Sequence, residues 1–244
     1  MEKLYIIIPA YNEKDNIKQV INDWYPIVEK IGDESRIVII NDGSTDNTLN
    51  ILKKEEKKRK QLIILNKENG GHGDTLIYGY KYAIKNKADY IFQTDSDGQT
   101  NPLEFEDFWN ERKKYDAIIG NRIDRKDGND RIFIEKILCF ILKIIFHVNI
   151  PDSNAPFRLM NTKKVDDYIK FMPEHYNLPN VILTVCFKYF NESLLFIPIS
   201  FKPRQAGKNS INIKKIIKIG VHAIKDFYNI KKKLKEVSDN EKND

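Results

Sequence analysis

Two aspartates stand one residue apart in "QTDSDGQTNP", residues 93–102. Asp95 and Asp97 follow the apolar run "YIF", so a strand is predicted to end where the carboxylates begin. Neighbouring carboxylates either shift one another's pKa or bind a cation. Oxygen ligands suit Mg²⁺ and Mn²⁺, and Mg²⁺ usually combines one or two carboxylates with substrate phosphates. The pair therefore indicates a metal-bound diphosphate, and a polar loop that caps the next helix is the alternative.

Other polar clusters also follow apolar runs. "PAYNE" offers Tyr11 as a stacking surface and Glu13 either as a ligand acceptor or as a partner of the next helix N-terminus. "NDGSTDNT" places Asp42 at the end of a run and Asp46 where it can cap the following helix. The cap explains Asp46, whereas Asp42 stays available for hydrogen bonds to a ligand.

Five apolar runs alternate with segments of helical periodicity. The runs are "LYIIIP", "RIVIIND", "QLIILN", "DYIFQT" and "DAIIGN". Strands separated by helices predict an α/β fold with a parallel sheet. Ligands of such sheets bind beyond the carboxyl ends of the strands, so the polar clusters are expected to meet at one edge.

Composition narrows the class of partner. The 244 residues carry a formal net charge of +6, which favours anionic partners, and 41% of them are hydrophobic. Two distant cysteines give neither metal spacing nor a disulfide framework and favour a reduced, cytoplasmic protein. The sequence contains no run of about 18 apolar residues, so no membrane-spanning helix is predicted. Nucleic-acid binding is disfavoured because no basic surface is interleaved with aromatic residues.

The loop "NKENGGHGD" contains Gly70, Gly71 and Gly73 before a predicted helix. Such a loop lets the backbone approach a phosphate or a sugar. It lacks the Gly-Lys-Ser/Thr of a Walker A loop, and no Gly-x-Gly-x-x-Gly follows the first strand, which argues against a nicotinamide enzyme. His72 is interpreted as a polar loop residue.

The segments "IIIPAYNE", "VIINDGSTDNT", "NGGHGDTLIYGYKYA" and "QTDSDGQTNP" occur in the order and at the spacing of family 2 glycosyltransferases, which the chain resembles over residues 4–122. The resemblance implies the GT-A fold, a Rossmann-like, mostly parallel central sheet flanked by helices, with C-terminal amphipathic helices here. It also implies a nucleotide-sugar donor and Mg²⁺ or Mn²⁺ as cofactor. The implied nucleotide-binding residues are Pro9, Tyr11, Glu13, Asp42 and Ser96. The implied metal and diphosphate ligands are Asp95, Asp97 and Gln99.

The later half is similar to the polyprenyl-phosphate glycosyltransferases, the dolichol-phosphate mannose synthase group. By this resemblance Arg122 of "IGNR" is the donor-side arginine, and Arg131 precedes a long apolar helix. Asp152 lies in "PDSNAPFRLMN", where "NAPF" replaces the usual Ser-Gly-Phe. Arg204 and Lys208 of "RQAGKNS" would close over the phosphates, although a serine replaces the usual lysine.

The resemblance implies inverting, metal-dependent sugar transfer by a single displacement, with Asp97, Asp152 and Arg204 as catalytic residues. A polyprenyl-phosphate acceptor would need cations to hold it, and Arg122, Arg131 and Arg158 are candidates. A glycan hydroxyl in surface polysaccharide assembly would need a base, for which Asp152 is the first choice. A non-catalytic nucleotide-sugar-binding membrane scaffold is a third hypothesis.

Two segments suggest contact with a membrane. Residues 132–148 are apolar but too short and too charged to span it; they could pack on the sheet, form a homodimer seam or lie on a bilayer. We expect a GT-A domain over 1–210, a basic amphipathic helix over 211–237 that contacts anionic lipid, and a disordered tail over 238–244. The predicted location is cytoplasmic, peripheral at the inner face of the cell membrane.

Overall fold

One seven-stranded sheet organises the chain. The structure, a computed structural model, describes residues 2–123, 129–202 and 213–240, with the side chains of 129, 130 and 213–222 left out. The strands are β1 (Leu4–Ala10), β2 (Arg36–Asp42), β3 (Leu62–Lys67), β4 (Tyr90–Gln93), β5 (Ala117–Arg122), β6 (Arg158–Asn161) and β7 (Leu194–Ile199). Their order in the sheet is β3-β2-β1-β4-β6-β5-β7.

The sheet is mostly parallel, as predicted. Strand β1 pairs in parallel with both β2 and β4, and β2 pairs in parallel with β3. Strand β6 lies antiparallel between β4 and β5, and β7 pairs in parallel with β5. The carboxyl ends of β1, β2 and β4 therefore open onto one edge.

Helices cover both faces of the sheet. They are α1 (Ile17–Ile31), α2 (Thr48–Glu56), α3 (His72–Lys85), α4 (Phe105–Glu111), α5 (Asn129–Phe146), α6 (Thr162–Ile169), α7 (Pro179–Tyr189) and α8 (Ile213–Asn240), with a short 3₁₀ turn at Pro102–Glu104. Side chains alternate across each strand, so Ile7 enters one core whereas Ile6 and Ile8 enter the other. Helices α1, α2 and α4 cover one face, and α3 and α5–α8 the other.

Helix α5 contains the apolar segment noted in the sequence. Its Leu142, Ile145 and Phe146 are buried in the core, which confirms that one side of the segment packs against the protein. The Phe146 ring lies 5.9 Å from the ring of Phe227 on α8. Helix α8 continues to Asn240, three residues past the predicted boundary. Among the helices in the described part of the chain, none has the length and apolar character needed to cross a membrane.

Candidate donor and metal site

The loops after β1, β2 and β4 are joined by hydrogen bonds. Asn12 Oδ1 accepts from the Thr45 backbone nitrogen at 2.8 Å, and the Asn12 backbone nitrogen donates to Ser44 Oγ at 3.0 Å. The buried Ser96 hydroxyl donates to the Pro9 carbonyl at 2.8 Å. The prediction that the three polar clusters meet at one edge is thereby confirmed.

Asn12 is a residue that the sequence analysis did not single out. Its φ of 56° lies in the left-handed region, which asparagine tolerates better than most residues. This conformation turns its side chain toward the loop after β2, where the amide oxygen receives the Thr45 bond. The signal in the sequence was the Asn in "PAYNE", five residues before the start of α1.

Asp42 holds the glycine loop. Its Oδ1 accepts from Lys67 Nζ at 2.6 Å and from the Gly70 backbone nitrogen at 2.9 Å, and its Oδ2 accepts from the Gly71 nitrogen at 3.0 Å. Burial alone would raise the pKa of Asp42, but the hydrogen bonds from Lys67 and Gly70 bring that pKa below its usual value. The carboxylate therefore stays ionised and fixes the loop before α3.

The two residues noted in "PAYNE" occupy different environments. Tyr11 is 44% exposed at the edge and is accessible for stacking. Glu13 is buried, and its Oε2 accepts from Asn16 Nδ2 at 2.7 Å. The Glu13 backbone nitrogen donates to Thr48 Oγ1 at 2.9 Å. Glu13 thus supports the start of α1, the alternative given for it from the sequence, and its role toward a nucleotide stays a prediction.

Asp95 and Asp97 lie in the loop after β4 and are both partly exposed. His72, at the start of α3, places Nε2 at 4.0 Å from Asp95 Oδ1. Asp97 Oδ1 accepts from the Gln99 backbone nitrogen at 3.1 Å. Within the described residues, no group of three or more His, Cys, Asp or Glu side chains could hold a metal ion. Two accessible carboxylates nevertheless fit a Mg²⁺ or Mn²⁺ ion whose remaining ligands are water and phosphate oxygens.

Gln99 anchors the segment that follows β7. Its side chain is buried, and its amide nitrogen donates to the Lys202 carbonyl at 2.8 Å. The Lys202 backbone nitrogen donates in return to the Gln99 carbonyl at 2.9 Å. Metal binding by Gln99 remains a prediction. Arg204 and Lys208, predicted to close over the phosphates, lie outside the described residues.

A cavity of about 310 Å³ opens on the α1 side of the loop after β4. It is lined by Asn16, Gln19 and Asp23 from α1 and its approach, by Asp95 and Gly98 from the loop, and by neighbouring side chains. Its volume lies at the lower end of the range for small-molecule sites. Asp95 can therefore be approached from this side as well as from the glycine loop.

Arg122, at the end of β5, forms a two-point ion pair with Asp152. Its Nε lies 2.7 Å from Asp152 Oδ2 and its Nη2 lies 2.8 Å from Oδ1. Both side chains are more than nine-tenths buried. The Arg122 guanidinium also lies over the Phe201 ring at 5.2 Å. Both carboxylate oxygens of Asp152 accept bonds from Arg122, so Asp152 orients this arginine, and its role as a base stays a prediction.

The structure corrects the prediction for Arg158, which was a candidate for holding the acceptor phosphate. It is fully buried. Its guanidinium donates to the carbonyls of Ala155 at 2.8 Å and Asn180 at 2.9 Å, and to Thr184 Oγ1 at 3.3 Å. Burial lowers its pKa to about 10, so it remains charged at neutral pH. Arg158 joins the segment after Asp152 to helix α7.

The same buried network reaches the strand that carries the aspartate pair. The Tyr80 hydroxyl lies 2.8 Å from Gln93 Oε1, near the end of β4, and 3.2 Å from Asn180 Oδ1 on α7. All three residues are buried. Helix α7 is thus coupled both to the Asp152 segment and to the strand before Asp95. Arg131, the remaining predicted cation, lies half-buried in the first turns of α5.

A loop at 173–178 packs against the start of α3. His175 Nδ1 lies 2.6 Å from Asp74 Oδ2, and this hydrogen bond raises the pKa of His175. A Cβ atom at Gly73 would lie 2.1 Å from the Tyr176 carbonyl oxygen, so glycine is required for this contact. The sequence analysis found the glycine loop but not the segment that covers its helix.

The comparisons with known proteins identify the family. The family model for "Glycosyl transferase family 2" matches residues 5–169. The chain belongs to this family. It is therefore a glycosyltransferase, and the roles of Asp95 and Asp97 in it stay predictions.

Two curated relatives of this family 2 glycosyltransferase are named for lipid-phosphate acceptors. The UDP-N-acetylglucosamine–dolichyl-phosphate N-acetylglucosaminyltransferase of Methanococcus voltae is 30% identical over 64% of this chain and 68% of its own length. The undecaprenyl-phosphate 4-deoxy-4-formamido-L-arabinose transferase of Edwardsiella ictaluri is 21% identical over 88% of this chain and 64% of its own length. The chain spans about two thirds of the length of such relatives.

Solved structures share the GT-A fold. S. aureus TarS in complex with UDP-GlcNAc has a TM-score of 0.61 at 18% identity, covering 89% of this chain and 64% of its own. Glucosyl-3-phosphoglycerate synthase from Mycobacterium tuberculosis, in complex with Mn²⁺, UDP-glucose and phosphoglyceric acid, has a TM-score of 0.69 at 12% identity, covering 93% and 80%. At these identities the likeness establishes the fold alone.

Proposed function

We propose that this glycosyltransferase transfers a sugar, with inversion, from a UDP- or GDP-sugar to polyprenyl phosphate at the cytoplasmic face of a membrane. The observation that carries the proposal is the hydrogen bond between Ser96 and the Pro9 carbonyl. It holds the Asp95–Asp97 loop against the loop that bears Tyr11. The two lipid-phosphate relatives and the Mn²⁺- and UDP-sugar-bound structural neighbour support the acceptor and donor classes.

In this proposal Asp95 and Asp97 hold Mg²⁺ or Mn²⁺, which supplies Lewis-acid stabilisation of the departing diphosphate. Tyr11 stacks on the nucleotide base, and the ionised Asp42 keeps the glycine loop in the position that borders the donor. His72 adds a polar group beside Asp95. The protein side chains thereby orient the donor for transfer.

The hydrogen bonds of Asp152 support a lipid phosphate as the acceptor. A hydroxyl acceptor needs a base within hydrogen-bond reach, but both Asp152 oxygens already accept bonds from Arg122. A lipid phosphate is an anionic nucleophile and needs no base. Arg131, Arg204 and Lys208 are the cations proposed to hold the phosphates.

The experiment is transfer of radiolabelled sugar from UDP- and GDP-sugars, with and without Mn²⁺, into extracted polyprenyl phosphate. Label should enter the organic phase only with the metal. Asp97→Asn should lower turnover by about a hundredfold or more, since metal stabilisation of the leaving group is lost.

Asp46→Asn is the matched control, because Asp46 Oδ1 accepts from the Thr48 backbone nitrogen at 2.9 Å at the start of α2, and the amide oxygen of asparagine can accept the same bond. It should retain full turnover. Label that stays in the aqueous phase on an oligosaccharide would replace the lipid acceptor by a glycan hydroxyl. An Asp97→Asn variant without any defect would contradict the metal site and favour a non-catalytic scaffold.

A further inference from the structure

Helix α5 has an apolar stripe that is open to solvent. Phe133 is 65% exposed, Ile137 43%, Phe140 62% and Ile144 55%. They follow one another at steps of four, three and four residues, so they lie on one side of the helix. We call these four residues the α5 stripe.

The α5 stripe is not part of the hydrophobic core. Leu142, Ile145 and Phe146 already bury the opposite side of α5. A surface helix with one buried face is normally polar on the other. A contiguous apolar surface on a folded protein marks an interaction site.

Positive charge borders the α5 stripe. Lys136 and Lys143 are exposed, and they lie four residues before and three residues after Phe140, so both neighbour its ring on the helix surface. Between residues 131 and 146 the sequence contains one acidic residue, Glu135. Its side chain is only 14% exposed, and its Oε1 accepts from the Ser153 nitrogen at 2.9 Å and hydroxyl at 2.8 Å. The carboxylate thus points inward, while the lysines remain at the surface.

We propose that the α5 stripe docks the enzyme on an anionic bilayer, with Phe133 and Phe140 at the boundary of the acyl chains and Lys136 and Lys143 among the headgroups. Apolar side chains flanked by lysines are the composition of helices that lie in the interface. This inference rests on the proposed function: docking on the bilayer would bring the donor site close to a lipid phosphate.

A second copy of the chain fits this surface less well. In a two-fold symmetric dimer the same patch would face itself. Lys136 and Lys143 of the two copies would then approach one another, while Glu135, the one acidic residue between 131 and 146, is turned into the protein. Anionic lipid headgroups complement the lysines instead.

The test is sedimentation of the full chain with vesicles of phosphatidylcholine alone and of phosphatidylcholine mixed with phosphatidylglycerol. The chain should sediment preferentially with the anionic vesicles. Phe140→Ser should weaken this partition roughly tenfold, because a largely exposed phenyl ring no longer enters lipid. Lys136→Gln combined with Lys143→Gln should weaken partition to anionic vesicles roughly tenfold and leave partition to neutral vesicles unchanged.

Leu103→Ser is the matched control, because Leu103 is 86% exposed on the 3₁₀ turn after β4, away from α5. It should sediment like the unmodified chain. Equal sedimentation of Phe140→Ser and Leu103→Ser would overturn the proposal. So would an unmodified chain that stays in the supernatant with both vesicle types, or light scattering that shows a dimer which Phe140→Ser dissociates without a change in vesicle binding.

Transfer to a short-chain, water-soluble prenyl phosphate separates this proposal from the proposed function. Phe140→Ser should retain that transfer in full, since the donor site is untouched. If the unmodified chain sediments with anionic vesicles but transfers no sugar to any prenyl phosphate, the acceptor assignment is wrong and the docking surface stands.

Discussion

Arg122 and Asp152 are joined at two points, with arginine Nε and Nη2 at 2.7 Å and 2.8 Å from the two oxygens of the carboxylate. The pair connects the end of β5 with the segment that leads into β6. Removal of one partner from a buried ion pair leaves the other charge without compensation and costs about 3–5 kcal/mol. The pair therefore holds the edge of the sheet beside the proposed donor site.

The first prediction tests whether Asp152 positions Arg122 or acts as a base. Asp152→Asn should lower the free energy of unfolding by about 3 kcal/mol, because the buried Arg122 guanidinium loses its charged partner. Urea unfolding measures the change. The variant Arg122→Met should lose a similar amount, and the double variant Arg122→Met/Asp152→Asn should lose less than the sum of the two. Unchanged stability together with lost turnover in Asp152→Asn would instead indicate a base.

The sheet edge where the loops after β1, β2 and β4 meet was predictable, because the apolar runs of these strands can be recognised in the sequence. Strands β1 and β2 each contain an unbroken β-branched run, residues 6–8 and 37–40, and polar residues follow shortly after each run. Because these strands are parallel, the polar clusters that follow them must lie at the same edge of the sheet. Asp42 shows the limit of this reasoning. Its partner Lys67 is 25 residues away, so the ion pair that occupies Asp42 arises only when β2 and β3 are paired.

The second half was not predictable in the same way. Strand β6 has four residues and begins with Arg158, so no apolar run marks it. An arginine is normally assigned to the surface, yet Arg158 is buried because carbonyls from a loop and from α7 converge on it. The α5 segment left three alternatives open because periodicity alone does not show which of its apolar sides the core covers.

The second prediction concerns Arg158. Arg158→Lys should lower the free energy of unfolding by about 3 kcal/mol, since an ammonium group cannot reach the Ala155 and Asn180 carbonyls together and leaves buried acceptors without donors. Chemical denaturation gives the value. Arg112→Lys, at a more exposed pair with Glu2, is the control and should change stability by less than about 1 kcal/mol. Equal effects of the two substitutions would show that the buried network contributes little.

The third prediction is a pH dependence of the loop at 173–178. The hydrogen bond to Asp74 raises the pKa of His175, so this contact stabilises the folded loop fully below the unfolded pKa of about 6.5. That contribution is lost as the pH rises through the raised folded-state pKa. Amide exchange of residues 174–178, corrected for the intrinsic rate, should therefore accelerate between about pH 6 and pH 8.

His175→Asn should remove this pH-dependent part of the exchange. His147→Asn is a matched control, because His147 also has a left-handed φ, 59° against 53° for His175, and lies in a different loop. Exchange at 173–178 should respond to pH in the control as it does in the unmodified chain. A loop whose exchange follows pH equally in both variants would exclude the His175–Asp74 bond as its cause.

The fourth prediction links the same loop to donor binding. A methyl group at Gly73 would lie 2.1 Å from the Tyr176 carbonyl oxygen and 2.8 Å from Asn177 Cα, both backbone atoms that cannot rotate away. Gly73→Ala should therefore lower stability by about 1–3 kcal/mol and weaken binding of UDP- or GDP-sugar, because the start of α3 and the glycine loop must shift. In Gly70→Ala the new methyl would meet Lys67 Nζ and Asp74 Oδ2, the ends of flexible side chains, at 2.8 Å and 2.9 Å. Calorimetric titration should show a smaller loss for Gly70→Ala, and the reverse order would mean that the 173–178 loop does not position the donor site.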